Sequence, residues 1–397
     1  VQVPRFEPFA ALRFAPALPL DKVVAPPYDV LSDDDVVALL QSHPRNIVAI
    51  DVPREAAGAE RYERAGALLR QWIADGTLVL DAQPSFTLYR TRFVDESGHR
   101  RETVGVLGGL EVVDEGAGGV LPHERTVPKA KTDRLDLTRA TDTNLSPVWG
   151  LSLTAGLTDL LREPGEPMGS CTDEQGVVHA VERVTDPSRV AGIRRAVASN
   201  PVLIADGHHR YAISRTFRDE ARIVRGNDSP AELTLTYVAE LVEEQLSIDA
   251  IHRLYHGVTA DDLLSILGDC FVASAAGPVT SAFSSEVVRR GALCLVRPDG
   301  TGVWLTPRPE AFVGVRDLDG AYLEHALRNR AIDVSYQHGV QHVVDIVAGT
   351  ASTVGVLIRP TSIVEIRRTA DEGLLMPPKS TFFTPKLRTG LVLRPLS

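Results

Sequence analysis

A chain of 397 residues is too long for one ordinary hydrophobic core and implies two or three domains. Its 44% hydrophobic and 24% charged residues are a globular mix, and no run of about 20 apolar residues marks a membrane span. A formal charge of -10 argues against a nucleic-acid coat, because a phosphate backbone needs a basic footprint.

Val1-Gln2-Val3-Pro4-Arg5 has no basic stretch leading into an apolar run, so no secretory signal is expected. Cys171, Cys270 and Cys294 are too few and too scattered for a disulfide framework or a zinc site. They read as inert thiols of a reducing cytosol, and a cytoplasmic location is expected.

In chain order, Ser32 is a plausible N-cap for a helix through Asp33 to Leu40, with acids in its first turn. A longer helix is expected from about Glu55 to Ala74, with Tyr62, Ala65, Leu68, Leu69 and Trp72 at helical spacing and Gly76 as its stop. A hairpin follows: Phe86 to Phe93 alternates, Glu96-Ser97-Gly98 turns, and Val104 to Val113 returns. The middle third alternates more strictly. Strands are expected at Val148 to Leu153, Val177 to Val184, Val202 to Ile204 and Leu233 to Val238, with helices at Pro187 to Ser199 and His208 to about Arg222. The last 150 residues mix short strands (Ala292 to Val296, Val303 to Thr306, Val354 to Ile358) with helices near Ala260 to Leu267, Leu318 to Arg328 and Val340 to Ala348. This pattern predicts an α/β fold, mixed α+β at its ends, in several domains. Seams at Gly116-Ala117-Gly118-Gly119 and near Glu243 to Ile248 divide it into 1–118, 119–245 and 246–397.

Four constellations carry chemistry. In Asp206-Gly207-His208-His209-Arg210 an apolar strand ends at Ala205, Gly207 permits a tight turn and a helix begins. Such a junction aims unpaired N–H groups and the positive end of the helix dipole at one point, which suits phosphate. Asp206 is placed to hold Mg²⁺ bridging phosphates; the plainer reading makes it a helix N-cap and the histidines surface residues. Adjacent histidines point apart, so His208 and His209 do not read as a metal pair. Pro122-His123-Glu124-Arg125-Thr126, with Lys129, Lys131, Asp133 and Arg134 after it, sets a carboxylate among cations on a loop. Glu124 suits a general base toward a substrate hydroxyl, or the run is a solvated face. Met376-Pro377-Pro378-Lys379-Ser380-Thr381 through Lys386 to Gly390 combines cations and hydroxyls in a proline frame. It lacks the glycine pattern of a P-loop, yet suits anion binding through Lys379, Ser380, Thr381 and Lys386; residues 376–397 read as separable from the folded core. Ala25-Pro26-Pro27-Tyr28-Asp29-Val30 reads as a structural turn, with Asp29 available as a ligand or cap.

These motifs, with Asn144-Leu145-Ser146-Pro147, occur in an order that resembles the bacterial "domain of unknown function 1015" family over essentially the whole chain. The middle of the chain is also similar to free serine kinases of the ParB/sulfiredoxin-like superfamily, through the Asp-Gly-His-His-Arg turn. That resemblance implies a central ParB/sulfiredoxin-like phosphate-binding unit. It assigns Glu124 as base for a serine hydroxyl, Asp206 and His208 to catalysis, and Gly207, His208, His209, Arg210 and His123 to nucleotide phosphates. Glu124 and Asp206 lie about twice as far apart in sequence as the kinase pattern has them, so an insertion must loop out between them. The expected activity is transfer of the γ-phosphoryl of ATP or another nucleoside triphosphate to a small hydroxylated amino acid, free L-serine first, with Mg²⁺ on Asp206. The partners expected are nucleotide and acceptor, with no nucleic acid and no membrane. A phosphohydrolase or nucleotidase, and a non-enzymatic nucleotide-binding switch, are the alternatives.

Overall fold

Strands whose residues are buried on both faces, among them Val148–Ser152 and Leu233–Glu240, mark the centre of a nine-stranded sheet. The computed structural model describes residues 2–54, 58, 60–95, 98–124, 132–350 and 352–397. In spatial order the sheet runs Val120–Pro122, Val202–Asp206, Val148–Ser152, Leu233–Glu240, Arg100–Glu111, Phe86–Val94, Val178–Val184, Glu166–Thr172. Phe6–Glu7 pairs with the end of Arg100–Glu111. Two pairings are parallel, Val120–Pro122 with Val202–Asp206 and Val148–Ser152 with Leu233–Glu240. The sheet is therefore mixed, and the fold is mixed α/β, as the alternating elements predict.

Phe86, Leu88, Val104, Val106, Val202, Ile204 and Val238 bury into one core with Leu157 and Leu161 of the helix Leu157–Arg162 and Ile193 and Val197 of the helix Pro187–Val197. A second core lies among the helices Asp33–Ser42, Arg61–Ala74 and Thr132–Thr141, where Leu69, Trp72 and Leu137 meet Leu12, Ile47 and Leu393. Ser32 caps the first of these helices, as read from the sequence, and Asp35 completes a reciprocal capping box with it. Gly66 lets two of them touch backbone to backbone, since a Cβ there would lie 2.1 Å from the Ala140 carbonyl oxygen. The start expected for the long helix near Glu55 and most of the turn at Glu96-Ser97-Gly98 lie outside the described residues.

The sheet draws strands from both sides of Gly116-Ala117-Gly118-Gly119, so the chain does not divide into compact units there. A glycine run announces a turn, and it says nothing about whether the flanking strands pair with each other. One compact unit extends to Pro122, resumes after a short insert, continues to Leu246 and closes with Pro385–Ser397. The other contains His123 and Glu124 of that insert together with Ser247–Thr384.

The C-terminal residues are core, which corrects the expectation that 376–397 is separable. Leu391, Val392, Leu393 and Leu396 are buried, and Arg394–Pro395 pairs antiparallel with Thr143–Asn144. The apolar run Leu391-Val392-Leu393 was the available signal, masked by the prolines and cations before it. Leu393→Ala is expected to cost roughly 2–5 kcal/mol, the range for a fully buried leucine, read as a lower midpoint in a urea titration. A shift within error contradicts this packing.

The second unit is built on a six-stranded antiparallel sheet, in order Phe271–Pro278, Thr301–Pro307, Leu293–Val296, Thr353–Leu357, Ile251–His256, Asp333–His338. Alternation sends Leu293, Leu295, Val354 and Val356 to one face, against Leu263 and Leu267 of the helix Ala260–Leu267. Cys294, Val296 and Leu357 face the other way, against Phe283 and Val287 of Phe283–Arg290 and Val343 and Val347 of Val340–Ala348. Cys171, Cys270 and Cys294 are free thiols, and burial pushes Cys171 up to about 11 and Cys294 up to about 12, which suits inert groups. Among the described residues, no helix is long and apolar enough to cross a membrane.

Candidate active site

The strand Val202–Asp206 is buried up to Ala205 and emerges at Asp206. Gly207 takes φ +86°, a left-handed conformation that favours glycine, and the helix His208–Arg225 starts at once. The fold over Gly207 is also crowded, because a Cβ there would lie 3.0 Å from Arg210 Nε. Ile213, Phe217 and Ala221, four residues apart, hold one face of the helix against Leu135, Ala231 and Leu396, and Tyr211 packs into the core of the large sheet. Its N-cap residue, Gly207, has no side chain with which to cap it. The N-cap reading of Asp206 therefore fails: the cap position is Gly207, and Asp206 is the last residue of the strand.

Asp206 stands between two cations. Arg210 Nη2 donates to Asp206 Oδ2 at 3.0 Å, and Lys386 Nζ lies 3.6 Å from the same oxygen. Burial alone would raise this carboxyl, but the charges of Lys386, Arg210 and His208 and a bond from the Gly207 backbone hold it well below the usual carboxylate range. With a folded pKa below the unfolded value near 3.9, Asp206 stabilises the fold above about pH 4, and that contribution is lost as pH falls through the folded value. The melting-temperature gap between wild type and Asp206→Asn is expected to be level from about pH 5 to 8 and to close below about pH 4. A gap that widens on acidification contradicts the assignment.

Arg210 faces inward. Its Nη1 donates to the Pro147 carbonyl, and the charges of Asp206, Asp29 and Asp51 counter the desolvation of its guanidinium. Asp51 is 3% exposed and accepts from Arg134 Nη1 at 3.1 Å through Oδ1, while its carbonyl accepts from the same nitrogen at 2.6 Å. Burial pushes the Asp51 carboxyl up against the pull of Arg134 and Arg210. The Arg134 guanidinium also lies over the Tyr28 ring, 4.0 Å from its centroid. Tyr28, Asp51, Arg134 and Arg210 thus line one cavity of about 50 Å³.

In the second unit, His123 and Glu124 meet the proline-framed segment. His123 is fully buried, its Nε2 2.7 Å from Thr381 Oγ1 and 3.9 Å from Glu124 Oε2. Glu124 Oε2 accepts from the Ser380 N–H at 3.0 Å, and Glu124 bridges Met376 in parallel. Arg253, 5% exposed, donates to the Lys379 carbonyl at 3.1 Å and stacks on Tyr336, which fixes a turn where Lys379 has φ +57°.

The sequence motifs are therefore sorted into two clusters. Asp206, Gly207, His208, His209, Arg210 and Lys386 lie in the first unit, joined by Tyr28, Asp29 and Arg134. His123, Glu124, Lys379, Ser380 and Thr381 lie in the second. His208 and His209 are half-buried in the first turn of their helix, and Lys379 is exposed. Ser380 and Thr381 are buried and engaged with His123 and Glu124, so their groups act as supports more than as free anion ligands. Lys129 and Lys131 lie outside the described residues. Sequence reasoning missed Asp51, Arg253 and Tyr336. For Asp51 the signal was an acid closing the apolar run Ile47-Val48-Ala49-Ile50; for Arg253 it was a cation inside an alternating strand.

A family model described as "Protein of unknown function (DUF1015)" matches residues 6–335. No curated protein matches the chain by sequence. Three solved structures are similar in part. A free serine kinase in complex with AMP is 12% identical at a TM-score of 0.36, covering 68% of this chain and 88% of that chain. A conserved hypothetical protein from Pyrococcus furiosus is 12% identical at 0.37, covering 68% and 92%. SbnI with a C-terminal truncation, from Staphylococcus aureus, is 13% identical at 0.39, covering 73% and 87%.

Proposed function

The chain belongs to the DUF1015 family of proteins of unknown function, and we propose that it is a small-molecule kinase moving the γ-phosphoryl of ATP to an amino-acid hydroxyl, with free L-serine the first acceptor to test. One observation carries the reading: an ionised carboxylate, Asp206, held by Lys386 and Arg210 where an 18-residue helix begins at a glycine. Phosphoryl transfer asks a protein mainly to position groups and neutralise charge. The first-turn N–H groups and the helix dipole receive phosphate oxygens. His208 and His209 add donors, and Lys386 adds charge. Arg210, committed to Pro147 and Asp206, positions the carboxylate.

Mg²⁺ fits this donor set in one way. Among the described residues no group of three or more His, Cys, Asp or Glu forms a cage, but one carboxylate suffices for a cation that arrives with phosphate oxygens. Bound at Asp206 with the nucleotide, it would supply neutralisation of the β and γ oxygens.

Glu124 is proposed as the base that orients and deprotonates the acceptor hydroxyl. Ser380 N–H fixes one of its oxygens.

The test incubates the protein with ATP, Mg²⁺ and a panel of hydroxylated amino acids, and follows ADP and the phosphorylated product. Acceptor-stimulated ADP formation is expected. Phosphate release that ignores the acceptor indicates a phosphohydrolase, and tight nucleotide binding without turnover indicates a switch.

A further inference from the structure

One cavity is lined by Tyr28, Asp51, Arg134, Asn144, Ser146 and Arg210, and two of these residues each carry a buried polar atom without a hydrogen-bond partner among the described residues. One is an acceptor, Asp51 Oδ2, and the other a donor, Arg210 Nε. Buried polar atoms are normally satisfied, and an acceptor and a donor left open on two residues that line one cavity define the chemistry of what completes them.

A phosphate or other plain anion would meet the Asp51 carboxylate there. A metal cation would meet two guanidiniums. Each places like charges together in a poorly solvated space. A zwitterion matches both signs at once. We propose that this cavity binds the head group of a free α-amino acid, the ammonium on Asp51 Oδ2 and the carboxylate on Arg210 Nε. Arg134 adds positive charge on the carboxylate side, and its two bonds to Asp51 hold that acid in place. The Tyr28 hydroxyl and Ser146 add further polar partners at the wall.

The cavity is coupled to the phosphate-handling turn by a single side chain. Arg210 lines it and also donates to Asp206 at 3.0 Å. An amino acid seated on Nε therefore lies one guanidinium away from the proposed site of transfer. Identifying it as the phosphoryl acceptor rests on the kinase reading; its binding as a zwitterion does not. The adenine edge of a nucleotide also offers a donor beside an acceptor, but it is neutral and leaves both charges of the cavity unanswered.

The test is calorimetry on the full chain, with and without ADP, using L-serine, glycine, L-serine methyl ester, N-acetyl-L-serine and adenosine. L-serine and glycine are expected to bind. The ester and the N-acetyl compound should bind roughly 10- to 100-fold more weakly, the cost of losing one charged hydrogen bond in a buried site. Asp51→Asn keeps the oxygen that accepts from Arg134 and replaces the open acceptor by a donor, so it should weaken L-serine by a similar factor and leave ADP affinity unchanged. Tyr28→Phe removes one hydroxyl, and it reads the same site if Asp51→Asn does not fold. Blocked and free serine binding alike, or adenosine competing with serine in the cavity, overturns the proposal, and no amino-acid binding at all overturns it and leaves water as the occupant. ATP-dependent phosphorylation of an alcohol without a zwitterionic head, together with no amino-acid binding, keeps the kinase and overturns this site. Selective serine binding without any phosphoryl transfer keeps this site and overturns the kinase.

Discussion

Asp206→Asn is expected to lower acceptor-dependent ADP formation by roughly 10²–10³-fold, the usual effect of removing one preorganised charge from a transition-state site. Asparagine keeps the shape but cannot supply the negative charge to a metal–nucleotide complex. The substitution also leaves Arg210 and Lys386 without their shared counter-ion, so a stability cost of roughly 1–3 kcal/mol is expected alongside. Nucleotide affinity separates this from general damage. Without Mg²⁺, Asp206→Asn should bind ADP at least as well as wild type, because a negative charge beside the phosphates is gone. With Mg²⁺, wild type should gain affinity and the variant should not. Full activity in Asp206→Asn would leave the turn as architecture and remove the main support for an enzyme.

Glu124→Gln is expected to slow transfer by roughly 10²–10⁴-fold, the typical contribution of a general base. Glutamine keeps a carbonyl oxygen to accept from the Ser380 N–H, so the segment Met376 to Thr381 should stay docked and the melting temperature should hold. The loss should appear in kcat, with ADP affinity unchanged. It should also depend on the acceptor, being largest for a weakly acidic alcohol. A large drop in melting temperature with the rate per folded molecule preserved would make Glu124 a strut for Ser380 and not a base.

The fold was legible wherever one short-range rule decided it. Ser32 with Asp35 gave a helix start, and the periodic run ending at Ala74 gave a helix end. Strand Val202–Asp206 and helix His208–Arg225 were read from an apolar run, a glycine and a 3.6-residue repeat. Edge strands escaped this reading. Phe271–Pro278 is built largely of small residues, is mostly exposed and does not alternate, so its pairing with Thr301–Pro307 comes from its partner. Glu166–Thr172 is likewise an outer strand, with Cys171 its one buried residue.

The site divides in the same way. Residue types and local order by themselves determined the strand–turn–helix junction: Asp206 at a strand end, Gly207 free to take a positive φ, and a helix beginning at His208. Those properties depend only on neighbours in sequence. Tertiary structure alone decided which groups set the charge of Asp206 and which complete the cavity beside it. Lys386 follows Asp206 by 180 residues, and Asp51, Arg134 and Arg210 come from three separate helices. A carboxylate's ionisation responds to charges within a few ångströms, whatever their place in the chain, and burial of those charges strengthens each term. The sequence supplied the cations and acids. Their pairing required the core of Leu69, Trp72, Leu137 and Leu393 to bring the segments together.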